Sequence, residues 1–469
     1  MHRPHKNSLT NTMTRREMLR TLAAASAGAL AAGAFPLLGA ETIPPPLGEP
    51  RIVGADEKVR VAAIGVGNQG FNDLRTVAGL GDVTLAALCD VDDNQAKSAY
   101  KQFPSVPRFK DYREMFAKMG DKIDAAVIAT PDFTHFNIAM HAMRYGKHVY
   151  VEKPLTHTIL EARIIAKAAK AYNVVTQMGN QGHSAMGTLL FHKWVKEGVI
   201  KNVTKYDLWM NKSRRWHGWK VSDFAPEEKM PSGLDWDLWL NKAPVHAFSR
   251  EYHPGDWRSW YEFGNGCLGD WGAHMIDAVF EALNLGMPTT IEAELTGPSK
   301  LIFPQGSILK FSFPARGELP PLTMRWFDGR NNTPPPPADF DGSMKDVGQF
   351  IYAEGCTLQG TSHGATYNIV PETKRQEMAP TLPRISGKPS GHMANFINAC
   401  KGKEEARSPF SIAARLTELL LLGVIAQRFG GTISYDDAAM KITGNPEADA
   451  MVCGYAPRKG WDEYYKYPL

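Results

Sequence analysis

Residues 59–70 read VRVAAIGVGNQG, and the architecture of the chain can be built out from them. Val59–Ile64 is an apolar run of strand length, ending in Gly65-Val66-Gly67-Asn68-Gln69-Gly70, a G-x-G-x-x-G turn that opens a helix. The first glycine permits the tight turn, the second lets the backbone approach a pyrophosphate, and the third lets helix and strand pack closely. The helix N-terminus, at Asn68 and Gln69, offers free amides to the anion. Twenty residues past Gly70, Asp90 closes the next apolar run, VTLAALCDV. A carboxylate there binds ribose hydroxyls and repels a 2′-phosphate, so the predicted cofactor is NAD rather than NADP.

The same grammar repeats downstream. AAVIATP (125–131), HVYVEKP (148–154) and VVTQMG (174–179) are apolar runs separated by helical stretches. Continuous apolar strands alternating with amphipathic helices predict a Rossmann-type, doubly wound parallel sheet over residues 58–180. Ligands in such a sheet lie beyond the carboxyl ends of the strands, which places Thr130, Pro131 and His135 on the cofactor crevice. Residues 181–469 change character. NVTKYDLWMN, TTIEAELTG, GSILKFSFP and PLTMRWFDG alternate as strands of an open, largely antiparallel sheet, and HMANFINAC and IAARLTELLLLGVIAQRF read as helices that pack back on the body. The fold class is therefore α/β, with a second α+β domain over 181–469.

VYVEKP sets Glu152 and Lys153 at the mouth of a buried strand, and Pro154 stiffens the turn after them. An ammonium at that rim stabilises charge developing on a substrate oxygen, while Glu152 accepts from the cofactor or from neighbouring donors. FGNGCLGDWGAHMID supplies a proton acceptor. Asp270 and His274 are four residues apart and share one face of a helix, with Asp277 further along it, so the acid orients an imidazole suited to taking a hydroxyl proton. Of the 11 tryptophans, eight fall between Trp209 and Trp271, interleaved with hydrogen-bonding residues. Trp216, His217, Trp219 and Tyr261 are expected to contact a sugar, whose C–H face packs on aromatic rings. Trp236 and Trp239 are expected to fill core.

The formal net charge is +4, and the first 40 residues account for it with Arg3, Lys6, Arg15, Arg16 and Arg20 against Glu17. The remainder is near neutral, which gives no basis for binding nucleic acid. The twin arginine at 15–16, the Ala-rich run to Gly39 and the small residues before position 41 read as a signal peptide over 1–40. Export through the twin-arginine translocase to the periplasm follows, with 41–57 as a Pro-rich linker. Five cysteines without C-x-x-C pairing argue against a zinc site, and no metal is expected.

AAIGVGNQG, CDV, ATPDFTH, GKHVYVEKPLT and GDWGAHMID together resemble the Gfo/Idh/MocA (glucose–fructose oxidoreductase / inositol 2-dehydrogenase / rhizopine-catabolism) family over about residues 58–300. The resemblance implies a Rossmann domain and a C-terminal α/β domain whose open sheet forms homo-oligomer contacts. It also implies that Lys153, Asp270 and His274 are the catalytic Lys, Asp and His, and that Asn180, in QMGNQGHS, faces the nicotinamide or the sugar. The activity it implies is hydride transfer from a sugar or glycoside hydroxyl to a tightly held NAD. An exported branch of the superfamily is similar in design but acts as a glycosidase, including α-N-acetylgalactosaminidases, by transient ring oxidation and elimination.

Overall fold

The computed structural model describes residues 43–212 and 221–466. Six strands, β1 (Val59–Ile64), β2 (Val83–Cys89), β3 (Arg108–Phe109), β4 (Ala125–Ile128), β5 (His148–Val151) and β6 (Thr176–Met178), form one parallel sheet in the order β3-β2-β1-β4-β5-β6. The order reverses between β1 and β4, which opens a crevice at their carboxyl ends. Every residue of β4 and β5 is buried, as strands covered on both faces require. Helices α1 (Asn68–Ala78), α2 (His135–Arg144) and α3 (Ile159–Ala171) connect these strands.

α3 starts with a capping box. Thr158 Oγ1 accepts from the Glu161 amide, and the Glu161 carboxylate accepts from the amides of Thr158 and His157 at 3.1 and 3.0 Å. Because Thr158 lies four residues after Pro154, this cap also fixes the loop that follows Lys153. Lys242 and Tyr465, from the second half of the chain, close on the same carboxylate.

The second half begins with α4 (Met186–Lys196) and builds a nine-stranded sheet. Its strands are β7 (Lys205–Met210), β8 (Thr290–Thr296), β9 (Gly306–Phe313), β10 (Leu322–Gly329), β11 (Val347–Ala353), β12 (Cys356–Gly360), β13 (Tyr367–Val370), β14 (Gly431–Asp436) and β15 (Lys441–Thr443), ordered β13-β12-β11-β7-β10-β9-β8-β14-β15. All its pairings are antiparallel except β7 with β10. Burial alternates along β9, so one face is core.

The helices of this half include α5 (Asp277–Ala282), α6 (His392–Cys400) and α7 (Phe410–Phe429). α7 is apolar on every side and 83% of its most apolar stretch is buried, which makes it a core helix despite a length that would cross a membrane. Glu418 on α7 is fully buried, and Arg163 of α3, Arg415 and Tyr435 surround its carboxylate at 2.6–2.7 Å. That network ties the two sheets together. Residues 43–57, read as a linker, are extended and pinned to the body: Leu47 N donates to Arg144 O at 2.7 Å and Arg51 pairs with Asp124.

Candidate active site

The turn after β1 has the conformation its glycines permit. Gly65 sits at φ +75°, and a Cβ there would stand 2.8 Å from the carbonyl oxygen of Ala129. At Gly70 a Cβ would lie 1.8 Å from Gly65 O, so α1 runs hard against the turn. The N-cap of α1 is Gly67, which has no side chain to cap the first amides, and Gly67, Asn68 and Gln69 line the cleft. Asp90, at the end of β2, accepts from the amides of Val66 and Asp92 at 2.8 and 2.9 Å, and burial pushes its carboxyl up to about 6. Thr130 and Pro131 line the same cleft, whose volume is about 760 Å³.

β5 delivers the next pair of groups to this rim. Lys153 Nζ donates to the Asp270 carboxylate, and also to the Asp270 carbonyl at 3.1 Å. The sequence reading paired Asp270 with His274 alone; its pairing with Lys153 is an addition. Arg258 stands 4.0 Å from the same carboxylate and is itself anchored by Asp132 at 2.5 Å. Glu152 accepts from Gln181 at 2.8 Å, and burial, reinforced by the nearby Asp73, pushes its carboxyl up to about 8. Asp73, on α1, is raised to about 6 by burial while Gln69 donates to it. The Lys153–Pro154 peptide is cis.

The segment carrying His274 departs from the expected regular helix. Leu268–Gly272 is wound as a π-helix, a single α-turn follows at Ala273–Met275, and α5 begins at Asp277. Asp277 does not join the other two residues on the cleft; its carboxylate lies 2.8 Å from His183 Nδ1 instead. His274 stays on the cleft with Lys153 and Asp270. Burial holds its pKa well below the usual histidine value, the charges of Lys153 and His363 add to that, and its Nδ1 has no hydrogen-bond partner among the described residues.

Three expected positions are corrected. His135 does not line the cleft; its ring nitrogens lie 2.9 and 2.8 Å from the carbonyl oxygens of Pro154 and Thr130, bracing the ends of β4 and β5. Asn180 is fully buried and does not line the cleft, whereas its neighbour Gln181 does, and its side-chain amide has no hydrogen-bond partner among the described residues. Tyr261 lines a separate cavity, its ring 4.2 Å from Phe303. Two backbone carbonyls draw the His135 ring inward and packing on Phe303 draws in that of Tyr261, and neither partner is announced by the local sequence. Trp216, His217 and Trp219 lie outside the described residues.

Other residues reach the cleft without having been singled out. Trp257, Trp271, Arg258, His253 and His363 all line it, and so does Trp239, which also packs in the core as expected, stacked on Trp236 at 4.5 Å. The density of tryptophan between 209 and 271 signalled the first two. Nothing in the local sequence around His363 did.

Residues 59–180 match the family model described as oxidoreductase family, NAD-binding Rossmann fold, and residues 189–300 match that family's C-terminal alpha/beta domain. The chain belongs to the Gfo/Idh/MocA family. Its cofactor is NAD, and the cleft fits that group: the Gly65–Gly70 cradle leaves no room for a side chain, the N-terminus of α1 borders the cleft where a pyrophosphate would lie, and Asp90 lines the same cleft.

Among curated relatives, a Saccharopolyspora erythraea glycosyl hydrolase family 109 protein is 33% identical over 189 residues, 38% of this chain and 41% of that one. An alpha-N-acetylgalactosaminidase of Shewanella oneidensis is 31% identical over 201 residues, 40% and 43% of the two chains. The chain spans about two-fifths of the length of these relatives. Solved Gfo/Idh/MocA-like folds include the WlbA dehydrogenase of Bordetella pertussis in complex with NADH and UDP-GlcNAcA, 16% identical with a TM-score of 0.57 over 81% of this chain and 99% of that one. A Listeria innocua NAD-binding protein is 17% identical, TM-score 0.56, over 81% and 97%. At these identities the likeness is one of fold.

Proposed function

We propose that the chain is an exported NAD-dependent oxidoreductase acting on a hydroxyl of a sugar or glycoside. One juxtaposition carries the reading: the Lys153–Asp270 pair and His274 line the same cleft as the Gly-rich turn and Asp90. NAD, when bound, supplies the hydride acceptor. His274, uncharged and with a ring nitrogen unclaimed among the described residues, takes the hydroxyl proton. Lys153 stabilises the charge that develops on the substrate oxygen, and Asp270 with Arg258 behind it holds the ammonium in place. Trp257 and Trp271 offer flat apolar faces to the C–H side of the sugar. Trp216, His217 and Trp219 remain part of the proposed substrate surface.

A strap from the second half supports tight retention of the cofactor. Asp235 N donates to Val91 O at 2.9 Å, Asp93 N to Gly233 O at 3.1 Å, Lys110 Nζ to Gly233 O at 2.5 Å, and His253 pairs with Asp92 at 2.9 Å. These bonds hold the Leu234 and His253 segments across the strand end that carries Asp90. A second substrate then reoxidises the bound cofactor, since free NAD is scarce outside the cytoplasm. Export in folded, loaded form by the twin-arginine translocase and a homo-oligomer built on the nine-stranded sheet belong to the same proposal.

The similarity to glycosyl hydrolase family 109 proteins favours a second reading, a glycosidase in which the ring is oxidised, the glycosidic group eliminated, water added and the ring reduced again. Mass spectrometry of products after incubation with a mixed glycoside panel, without added acceptor, separates the two. A ketosugar supports the first reading and a released aglycone the second. Purified protein that carries no nicotinamide and takes up none overturns both.

A further inference from the structure

The β12–β13 turn is held with more care than a surface connection needs. Thr361 N donates to Thr366 O at 3.1 Å, Gly364 N to Thr361 O at 3.3 Å, and Gln349 Nε2 to Thr361 O at 2.8 Å. The turn rests on the start of α4, where two glycines make the contact possible. A Cβ at Gly182 would stand 2.2 Å from His363 O, and one at Gly187 would stand 2.4 Å from Gly364 O. Thr188 Oγ1 adds a hydrogen bond to Gly364 O at 3.3 Å. The result is a fixed backbone beneath one imidazole that points into the cleft. Ser362 Oγ lies 2.8 Å from His363 Nδ1, the Trp271 ring packs against the imidazole at 5.3 Å and 72°, and the His274 ring stands 4.4 Å away at 39°.

We propose that His363 is a positioning residue for the oxidation chemistry, set beside His274 so that this imidazole stays an uncharged base when protons become plentiful. The inference rests on the assignment of His274 as base made above. Two imidazoles this close cannot both carry a proton without strong repulsion. His363 is the more exposed of the two, at an intermediate depth, so it takes the first proton as pH falls. Its charge then holds the second proton off His274. The other groups facing His274 are Lys153 and His392, whose charges act in the same direction, and Asp270, which opposes them but is already paired with Lys153. Lys153 and Asp270 face His363 as well. His392 is spoken for by Ser184 Oγ and Met178 O, each at 2.8 Å.

The experiment is a histidine titration by long-range ¹H–¹⁵N NMR on the NAD-loaded protein without substrate, with His274→Gln used to assign the signal. In His363→Gln the His274 midpoint is expected to rise by about one pH unit, and the acid limb of kcat/KM to rise with it. His363→Lys, which keeps a fixed charge at the site, is expected to prevent that rise and serves as the independent check if the glutamine variant fails to fold. A His274 midpoint that is unchanged in His363→Gln, or that rises in His363→Lys, overturns the proposal. Because the NMR midpoint is read without turnover, that failure is distinct from a failure to oxidise any sugar.

Discussion

The Gly65–Gly70 turn and the Leu268–Met275 segment line one cleft, and they are held in place by opposite means. The first is rigid because atoms are missing: backbone packs on backbone where a Cβ would be 1.8 Å from a carbonyl oxygen. The second is rigid because charges are buried. Asp270 is held by Lys153, with Arg258 at 4.0 Å, and the chain widens into a π-turn to present its residues. A wall built by steric exclusion fails when an atom is added. A wall built from charge fails when a charge is removed, and it leaves the cofactor cradle intact.

The largest expected effect therefore comes from the smallest change. Gly70→Ala places a methyl into Gly65 O, and neither backbone can move without displacing β1 or α1. Overpacking of this kind costs about 1–3 kcal/mol or more, and the turn that must open to relieve it is the cofactor cradle. Purified Gly70→Ala is expected to carry no nicotinamide, read as nucleotide released on denaturation, and to melt several degrees lower. A variant that keeps its cofactor at wild-type stoichiometry would break the distinction between the two walls.

Lys153→Met attacks the other wall. The methionine keeps most of the apolar stem but removes the ammonium that faces Asp270. Turnover is expected to fall by about 10²- to 10³-fold, the usual loss for one electrostatic stabiliser, while NAD stays bound. Single-turnover reduction followed at the nicotinamide absorbance, beside a measure of bound cofactor, reads both halves of the expectation. Loss of cofactor in proportion to loss of activity would place Lys153 in the binding cradle instead.

The same contrast explains which parts of the molecule could be read from sequence. Asp90, Thr130 and Lys153 each end an apolar run, so the parallel sheet alone brings them to one rim; each needed only its own neighbourhood to be placed. His363 reaches the cleft because a turn between β12 and β13 lands on Gly182 and Gly187, a contact no local pattern announces. The Asp270–His274 spacing is legible as a pair, yet the contact that claims Asp277 comes from His183, far away in sequence. His135 is expected at the cleft from its nearness to the strand end at Thr130, and Tyr261 from the aromatic stretch around it. Their rings are claimed by the carbonyls of Pro154 and Thr130 in one case and by Phe303 in the other.

The finest test concerns the rim between the two walls. Glu152 is buried, and burial raises its carboxyl to about 8, above the ordinary value of 4.5. A carboxyl whose folded pKa lies above its unfolded one binds more protons in the native state, so stability falls as pH rises between those two values. The buried histidines divide: His274 and His392 are held below 6.5 by burial, so the stability they contribute is present above that pH and is lost as pH falls, whereas His183, despite its burial, is raised by the Asp277 carboxylate, so its contribution is lost as pH rises. Asp73 and Asp90, each raised by burial to about 6, complete their change below the same point. Above pH 6.5 Glu152 and His183 are thus the two of these groups still titrating, and both lower stability as pH rises. Cofactor-free protein is expected to lose melting temperature from pH 6.5 to 8, by no more than about 1.4 kcal/mol of stability per pH unit for each group. Glu152→Gln, which keeps the shape and an acceptor for Gln181, is expected to reduce the slope to the part His183 supplies, without lowering the melting temperature at pH 6.5. A slope unchanged by the substitution would assign the titration to another group and leave Glu152 ionised beside Lys153, a rim charged on both sides of the peptide that joins them.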